Sequence, residues 1–314
     1  MTAARIGAVL YEGPSKLDGA PIVAIANGFQ GSSVNDKTGK MIQTWILRSD
    51  ISPVEALRGG EDFSVCGNCQ FRFVDGNGLC LVNVGWGPQG VWKAYKDGRF
   101  EEYSREKHGR YLRRRHIRIG SYGDPVAVPS QVWRRLIDKR NPDWTGYTHQ
   151  WRLGFAKSYR DFLMASVESQ AEVVEAESRG WRPFLVLPHN RDVPEGFSWC
   201  PADSLNPARK VECTNCLLCS GIHDEAKRPN KRVAIYAHGT GNGGASFGMR
   251  GRQRRLPVTQ RKKPKHYPLV RMEPALHAKV KALASKKRLS MRAFVGMTLE
   301  RALKRQLDGI KSDD

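Results

Sequence analysis

The sequence predicts an α/β fold, a partial (β/α) barrel followed by a small basic module at its C-terminal end. Three observations predict it. From about residue 41 onward, apolar runs of strand length alternate with segments of helical periodicity, the rhythm of parallel strands buried on both faces and joined by crossovers. The seven cysteines fall into two groups, Cys66, Cys69 and Cys80 early and Cys200, Cys213, Cys216 and Cys219 late. Charge gathers at the end: the chain carries a formal +21, and between Arg250 and Asp314 nineteen Lys and Arg face five Asp and Glu.

Residues 1–40 are rich in Gly, Ser, Asp and Asn and weakly periodic; PIVAIANG reads as a strand and NDKTGK as a turn. MIQTWILR (41–48) is β-branched and aromatic and reads as a strand. SPVEALRGG then offers Ser52 as cap, Pro53 at the first helical position, Glu55 in the first turn and glycine as stop, a short helix that delivers the chain to the cysteines. Beyond Cys80, Val91, Trp92 and Tyr95 recur at helical spacing around residues 88–97. Arg113, Arg114 and Arg115 read as a solvated entry to IRIGSYGDPVAVP (117–129), and PSQVWRRLIDKR places Val132, Trp133, Leu136 and Ile137 on one face of a helix. WTGYTHQWR (144–152) and DFLMASVE (161–168) read as strands. SQAEVVEAESRG (169–180) is a helix with Ser169 and Glu172 as a capping box and Gly180 as terminator. WRPFLVLP (181–188) and KRVAIYAHG (231–239) complete the row.

A chain of 314 residues can bury one large core and carry a small extra module. An odd cysteine count, an opening MTAARIGAVL without signal-peptide character and the lack of an apolar run of about 18 residues argue against disulfides and a membrane span. A reducing, cytoplasmic setting is expected, where thiols serve metals. Cys66, Cys69 and Cys80 supply three thiolates and leave one coordination position open; the late four complete a tetrahedral ion or cap an iron–sulfur cube. Structural zinc at both groups is the alternative, with His108 or His116 as a fourth ligand for the first. The late group sits in a loop of about forty residues, long enough to require an organiser of its own.

The order of these features resembles a radical S-adenosylmethionine enzyme over residues 41–240. In that family a three-cysteine loop after an early strand holds an iron–sulfur cluster, and a later strand ends in a glycine motif that cradles the cofactor. Tyr122, Gly123, Asp124 and Pro125 stand in the place of that motif, with Asp124 where the family has Glu. The resemblance implies an iron–sulfur cluster and S-adenosylmethionine as cofactors, with Tyr122, Gly123, Asp124 and Pro125 binding the latter; Asp124 and, from its place at a strand end of the barrel, His149 are the expected catalytic residues. The spacing departs from the family, with two residues and then ten between the cysteines rather than three and then two. The same region is similar to an uncharacterised phage and plasmid protein family that carries a like cysteine loop, a Gly-Asp-Pro strand end and a GYTHQWR segment. Because side chains at the carboxyl ends of parallel strands meet in a barrel, Asp124, His149, Gln150, Glu168 and His238 are expected near the first cysteine group.

The domain reading is 1–240 for the α/β unit, 241–266 for a basic linker and 267–310 for a strand and two helices. That last part resembles the ribbon-helix-helix DNA-binding family, which implies a homodimer whose paired strands enter the major groove. Tyr267, Leu269 and Arg271 would be the outward strand positions, and Ser290, capping the second helix, would meet a phosphate. Two functions stand open: a radical-type metal enzyme tethered to DNA, or a non-enzymatic replication or transcription regulator with structural zinc.

Overall fold

The computed structural model describes residues 6–31, 37–72, 80, 82–137, 143–188, 191–203, 205–208, 211–222 and 232–237, with 279, 280, 282, 283 and 298 as isolated positions beyond them. His238, Tyr267, Leu269, Arg271 and Ser290, and with them the linker and the strand–helix–helix reading, lie outside the described residues. The chain divides into two compact units, Met1–Arg254 and Arg255–Asp314. The first is an α/β unit built on one mixed sheet. Among the described residues no helix is long and apolar enough to cross a membrane.

Ten strands form the sheet: β1 (Gly7–Pro14), β2 (Pro21–Asn27), β3 (Ile42–Arg48), β4 (Glu101–Glu102), β5 (Ile117–Tyr122), β6 (Trp144–Thr148), β7 (Met164–Val167), β8 (Pro183–Leu187), β9 (Phe197–Trp199) and β10 (Arg232–Tyr236). Their lateral order is β4-β1-β2-β3-β5-β6-β7-β8-β10-β9. From β3 onward every neighbouring pair is parallel, and β3, β5, β6, β7, β8 and β10 lie side by side in chain order. At the other end β1, β2 and β3 form an antiparallel meander, with β4 parallel to β1.

Helices fill the connections: α1 (Pro53–Gly59), α2 (Phe63–Cys66), α3 (Gly87–Lys96) and α4 (Arg105–Leu112) between β3 and β5, α5 (Ser130–Leu136) before β6, α6 (Gln170–Ser178) between β7 and β8, and α7 (Cys213–Cys216) before β10. The Ser52 hydroxyl accepts from the Glu55 amide and the Glu55 carboxylate accepts from the Ser52 amide, while Gly60 ends the helix at φ 72. Ser52→Ala should therefore lower stability by about 1 kcal/mol, read as a shifted urea midpoint with an unchanged slope; an unmoved midpoint would contradict the capping role. On α6, Ser169 accepts from the Glu172 amide as expected, but the Glu172 carboxylate reaches back to the Glu168 amide at 2.8 Å rather than to Ser169.

Alternation along the parallel strands divides the interior in two. Ala165, Val167, Leu185, Leu187 and Ala234 join the main core with the helices, while Met164, Phe184, Val186, Val233 and Ile235 form a second cluster with Cys200. Tyr147, Phe71, Cys213 and Cys219 pack against that second cluster. Between β3 and β5 the register shifts, and the Thr44 hydroxyl mends the break by donating to the Arg118 carbonyl and accepting from the Gly120 amide. Gly120 sits at φ 74 with Pro125 close against it, a backbone that a side chain would strain.

Several boundaries differ from expectation. The strand read over 144–152 stops at Thr148, because Thr148, His149 and Gln150 turn their hydrogen bonds toward Asp124 instead of continuing the ladder. DFLMASVE is a strand only over Met164–Val167, and Trp181 and Arg182 precede β8 rather than joining it. Arg115 is no solvated entry: its guanidinium donates to the carbonyls of Phe29, Gly28 and Lys40. His108 is buried in α4 between the rings of Phe29 and Tyr103, with its Nδ1 beside Ser104, rather than against a cysteine.

Candidate metal centres

The first cysteine group begins at α2 and is held by two long-range clamps. Asp62, buried just ahead of the helix, accepts two hydrogen bonds from Arg72 at 3.0 and 2.5 Å. The same guanidinium donates to the Gly67 and Gly60 carbonyls, so Arg72 staples the far side of the knuckle to its start. The second clamp is Gln150, whose amide donates to the Cys66 carbonyl and accepts from the Asn68 amide, each at 3.1 Å. Gly67, at φ 57, lies against that amide, and a Cβ there would stand about 2.5 Å from it. Glycine is required at this position on both counts.

At the carboxyl ends of three neighbouring strands the predicted polar residues come together. Asp124 follows β5, Thr148 ends β6 with His149 and Gln150 just beyond it, and Glu168 follows β7. The buried Asp124 carboxylate accepts from the Thr148 hydroxyl at 2.7 Å, the Val126 amide at 3.0 Å, the His149 amide at 2.8 Å and the Gln150 side chain at 3.4 Å. Burial raises this carboxyl above the ordinary range, and those hydrogen bonds work against the rise. Both oxygens are thus engaged within the fold, where Asp124 ties the ends of β5 and β6 together. Its own amide donates to the Val65 carbonyl at 2.6 Å, linking the strand end to α2. Tyr122 is buried, and Gly123, at φ 80, presses on Ile46 and the Val65 carbonyl. Pro125 opens a 3₁₀ turn whose carbonyl accepts from the Trp133 indole at 2.9 Å.

His149 faces the thiols. Its Nε2 lies 3.8 Å from the Cys69 sulfur and 3.1 Å from a Glu168 oxygen, and the Phe71 ring meets its edge at 5.6 Å. Gln70 donates to the other Glu168 oxygen. Burial alone would lower the imidazole, but Cys69 and Glu168 outweigh it and push it up to about 10. Cys66 and Cys80 are raised by burial, Cys80 to about 11, and each feels the charge of other thiols in the trio. Burial of this kind favours the neutral thiol at Cys66 and Cys80, and a bound cation would favour the thiolate. Among the described residues no three Cys, His, Asp or Glu side chains stand in the arrangement that holds a single metal ion.

The second group is organised by Arg182. Its guanidinium donates to the carbonyls of Ser220, Gly221 and Leu218, drawing the cysteine loop onto the strands. The Gly146 amide of β6 donates to the Cys219 carbonyl and the Cys213 amide donates to the Lys37 carbonyl, both at 2.8 Å. Cys200 lies beyond β9, where the Asp203 carboxylate accepts from the Trp199 indole and from the Tyr236 amide of β10. Burial raises Cys200, Cys213 and Cys219; Lys37 opposes it at Cys200, Arg118 and Lys37 at Cys213, and Arg118 at Cys219. The donor sets, three and four soft sulfurs, suit zinc or iron–sulfur clusters rather than hard oxygen-seeking ions.

Sequence reasoning brought out the thiols, Asp124, His149, Gln150 and Glu168 but missed Arg72, Arg182 and Arg118, whose partners lie 5 to 39 residues away. It also sought a fourth ligand for the first group in the imidazole of His108 or His116, whereas His149 is the histidine beside Cys69. No protein-family model matches the chain. Neither a curated protein nor a solved structure matches it.

Proposed function

We propose that the chain is a metal-cluster enzyme, radical S-adenosylmethionine-like, in which Cys66, Cys69 and Cys80 hold an iron–sulfur cluster over the carboxyl ends of a partial barrel. One observation carries it. The three-thiol segment follows the first strand of a parallel run laid out in chain order, after α1, and the next three strands lead into Asp124, His149 and Glu168, of which His149 lies 3.8 Å from the Cys69 sulfur and bonds the other two. Carboxyl ends of parallel strands are where such folds place their chemistry. When bound, the cluster would supply the electron that splits the cofactor's sulfonium carbon–sulfur bond. The chain's part is to hold and orient: Arg72 and Gln150 fix the knuckle, Asp124 fixes the strand ends, and the His149–Glu168 pair presents a polar contact to substrate. With both Asp124 oxygens engaged in the fold, its proposed role is to position the site rather than to grip the cofactor. Anaerobic incubation with dithionite and S-adenosylmethionine should yield 5′-deoxyadenosine and methionine; absence of both products from iron-replete protein would overturn this reading.

A second reading has an observation of its own. Two ligands of one tetrahedral zinc stand about 3.6 Å apart, close to the 3.8 Å between His149 Nε2 and the Cys69 sulfur. With His149 as fourth ligand the first centre would be closed and structural, and the protein a DNA-binding replication or transcription regulator. Stoichiometric zinc in a colourless preparation would favour it.

In either reading the C-terminal charge points to DNA, with a homodimer formed through residues 267–310. Removing residues 250–314 takes away nineteen cations and five anions. Non-specific DNA affinity at low salt should fall by at least about tenfold and its salt dependence should flatten. Fluorescence anisotropy at two salt concentrations checks this, and a steep slope retained by the shortened chain would contradict it.

A further inference from the structure

Arg118 is the second residue of β5. Its side chain stacks on Tyr147, with the guanidinium carbon 4.0 Å from the ring centroid, and donates to the Tyr147 hydroxyl. Among the described residues this is its one side-chain hydrogen bond, and no carboxylate pairs with it. A half-buried guanidinium held by a tyrosine alone leaves its charge to be answered by whichever anion comes near. The groups that share its surroundings are thiols: Tyr147 packs in the same cluster as Cys213 and Cys219, and the preceding residue, Gly146, donates to the Cys219 carbonyl at 2.8 Å. Lys37 joins them, its carbonyl accepting from the Cys213 amide and its ammonium lying within range of Cys200, the Asp203 carboxylate and Cys213.

We propose that Arg118, together with Lys37, balances the charge of a tetrathiolate metal centre formed by Cys200, Cys213, Cys216 and Cys219. The inference rests on reading that group as a metal centre. Four thiolates around a divalent ion leave two negative charges, and two cations answer them in a setting where uncompensated charge is disfavoured. Arg118 is then a positioning and charge-balancing residue, and its stacking on Tyr147 joins the second centre to β6, which His149 follows.

The test uses the full-length chain carrying Cys80→Ala, which leaves the first group at most two thiols, with cobalt(II) as the probe. Thiolate-to-cobalt absorption reports the centre, and competition with a chelator gives its affinity. Arg118→Gln should weaken cobalt binding about 10–100-fold, the usual range for a residue that supports metal ligands, and Arg118→Lys should recover most of it. Lys37→Gln gives an independent reading on a separate segment and should weaken binding in the same direction. Unchanged affinity in both glutamine variants, or equal losses in the glutamine and lysine variants of Arg118, would overturn the inference. Absence of cobalt–thiolate absorption from the Cys80→Ala parent itself would overturn the metal reading of the second group, and the inference with it.

Discussion

Replacing Asp62 with alanine is expected to destabilise the α/β unit by about 3–5 kcal/mol, the loss that follows when one member of a buried ion pair is removed and the other is left uncompensated. The side chains of Asp62 and Arg72 retain 2% and 12% exposure, and the guanidinium also serves the Gly67 and Gly60 carbonyls. Its release would free the cysteine knuckle as well as the charge. Removing both partners, as Asp62→Ala with Arg72→Met, should cost less than the two single changes added together, because the stranded charge disappears. Urea unfolding of the four chains of this cycle supplies the comparison. A single-variant loss under about 1 kcal/mol, typical of exposed pairs, would contradict the assignment.

Gln150→Leu is the second large effect. The leucine matches the volume but leaves the Cys66 carbonyl and the Asn68 amide without their partner and removes a donor from Asp124. Stranding buried polar groups in this way should lower stability by on the order of 3 kcal/mol. A functional consequence separates this from an ordinary core lesion. Metal should be lost from the first cysteine group while the second, organised by Arg182, keeps its own. Equal loss from both groups would show that Gln150 supports the sheet as a whole and not the knuckle.

Much of this was legible in the chain because the signals are local. Ser52, Pro53, Glu55 and Gly60 announce α1 within nine residues, and the apolar runs around β3, β7, β8 and β10 announce buried parallel strands. Reading those strands as parallel was enough to bring Asp124, His149 and Glu168 to one end of the sheet, where they lie. The missing parts are long-range. β1 escaped notice because only its first half is apolar; GAVL is followed by YEGP, whose side chains alternate toward solvent at the edge of the meander. The segment 144–152 looked like one strand because Trp151 is buried and aromatic, yet its indole donates to the Ser166 carbonyl from a turn. Arg72, Arg182 and Arg118 resemble any other arginine in a chain with a formal charge of +21. Only the fold reveals that they face a buried carboxylate, a row of carbonyls and a tyrosine beside thiols.

The most direct test is the metal content and absorption spectrum of the full-length chain prepared without oxygen, measured beside Cys80→Ala. The proposed function predicts a brown protein with about eight irons per chain, two four-iron clusters, and about half of that iron in the variant. A colourless protein rich in zinc, or iron content unmoved by losing Cys80, would contradict it.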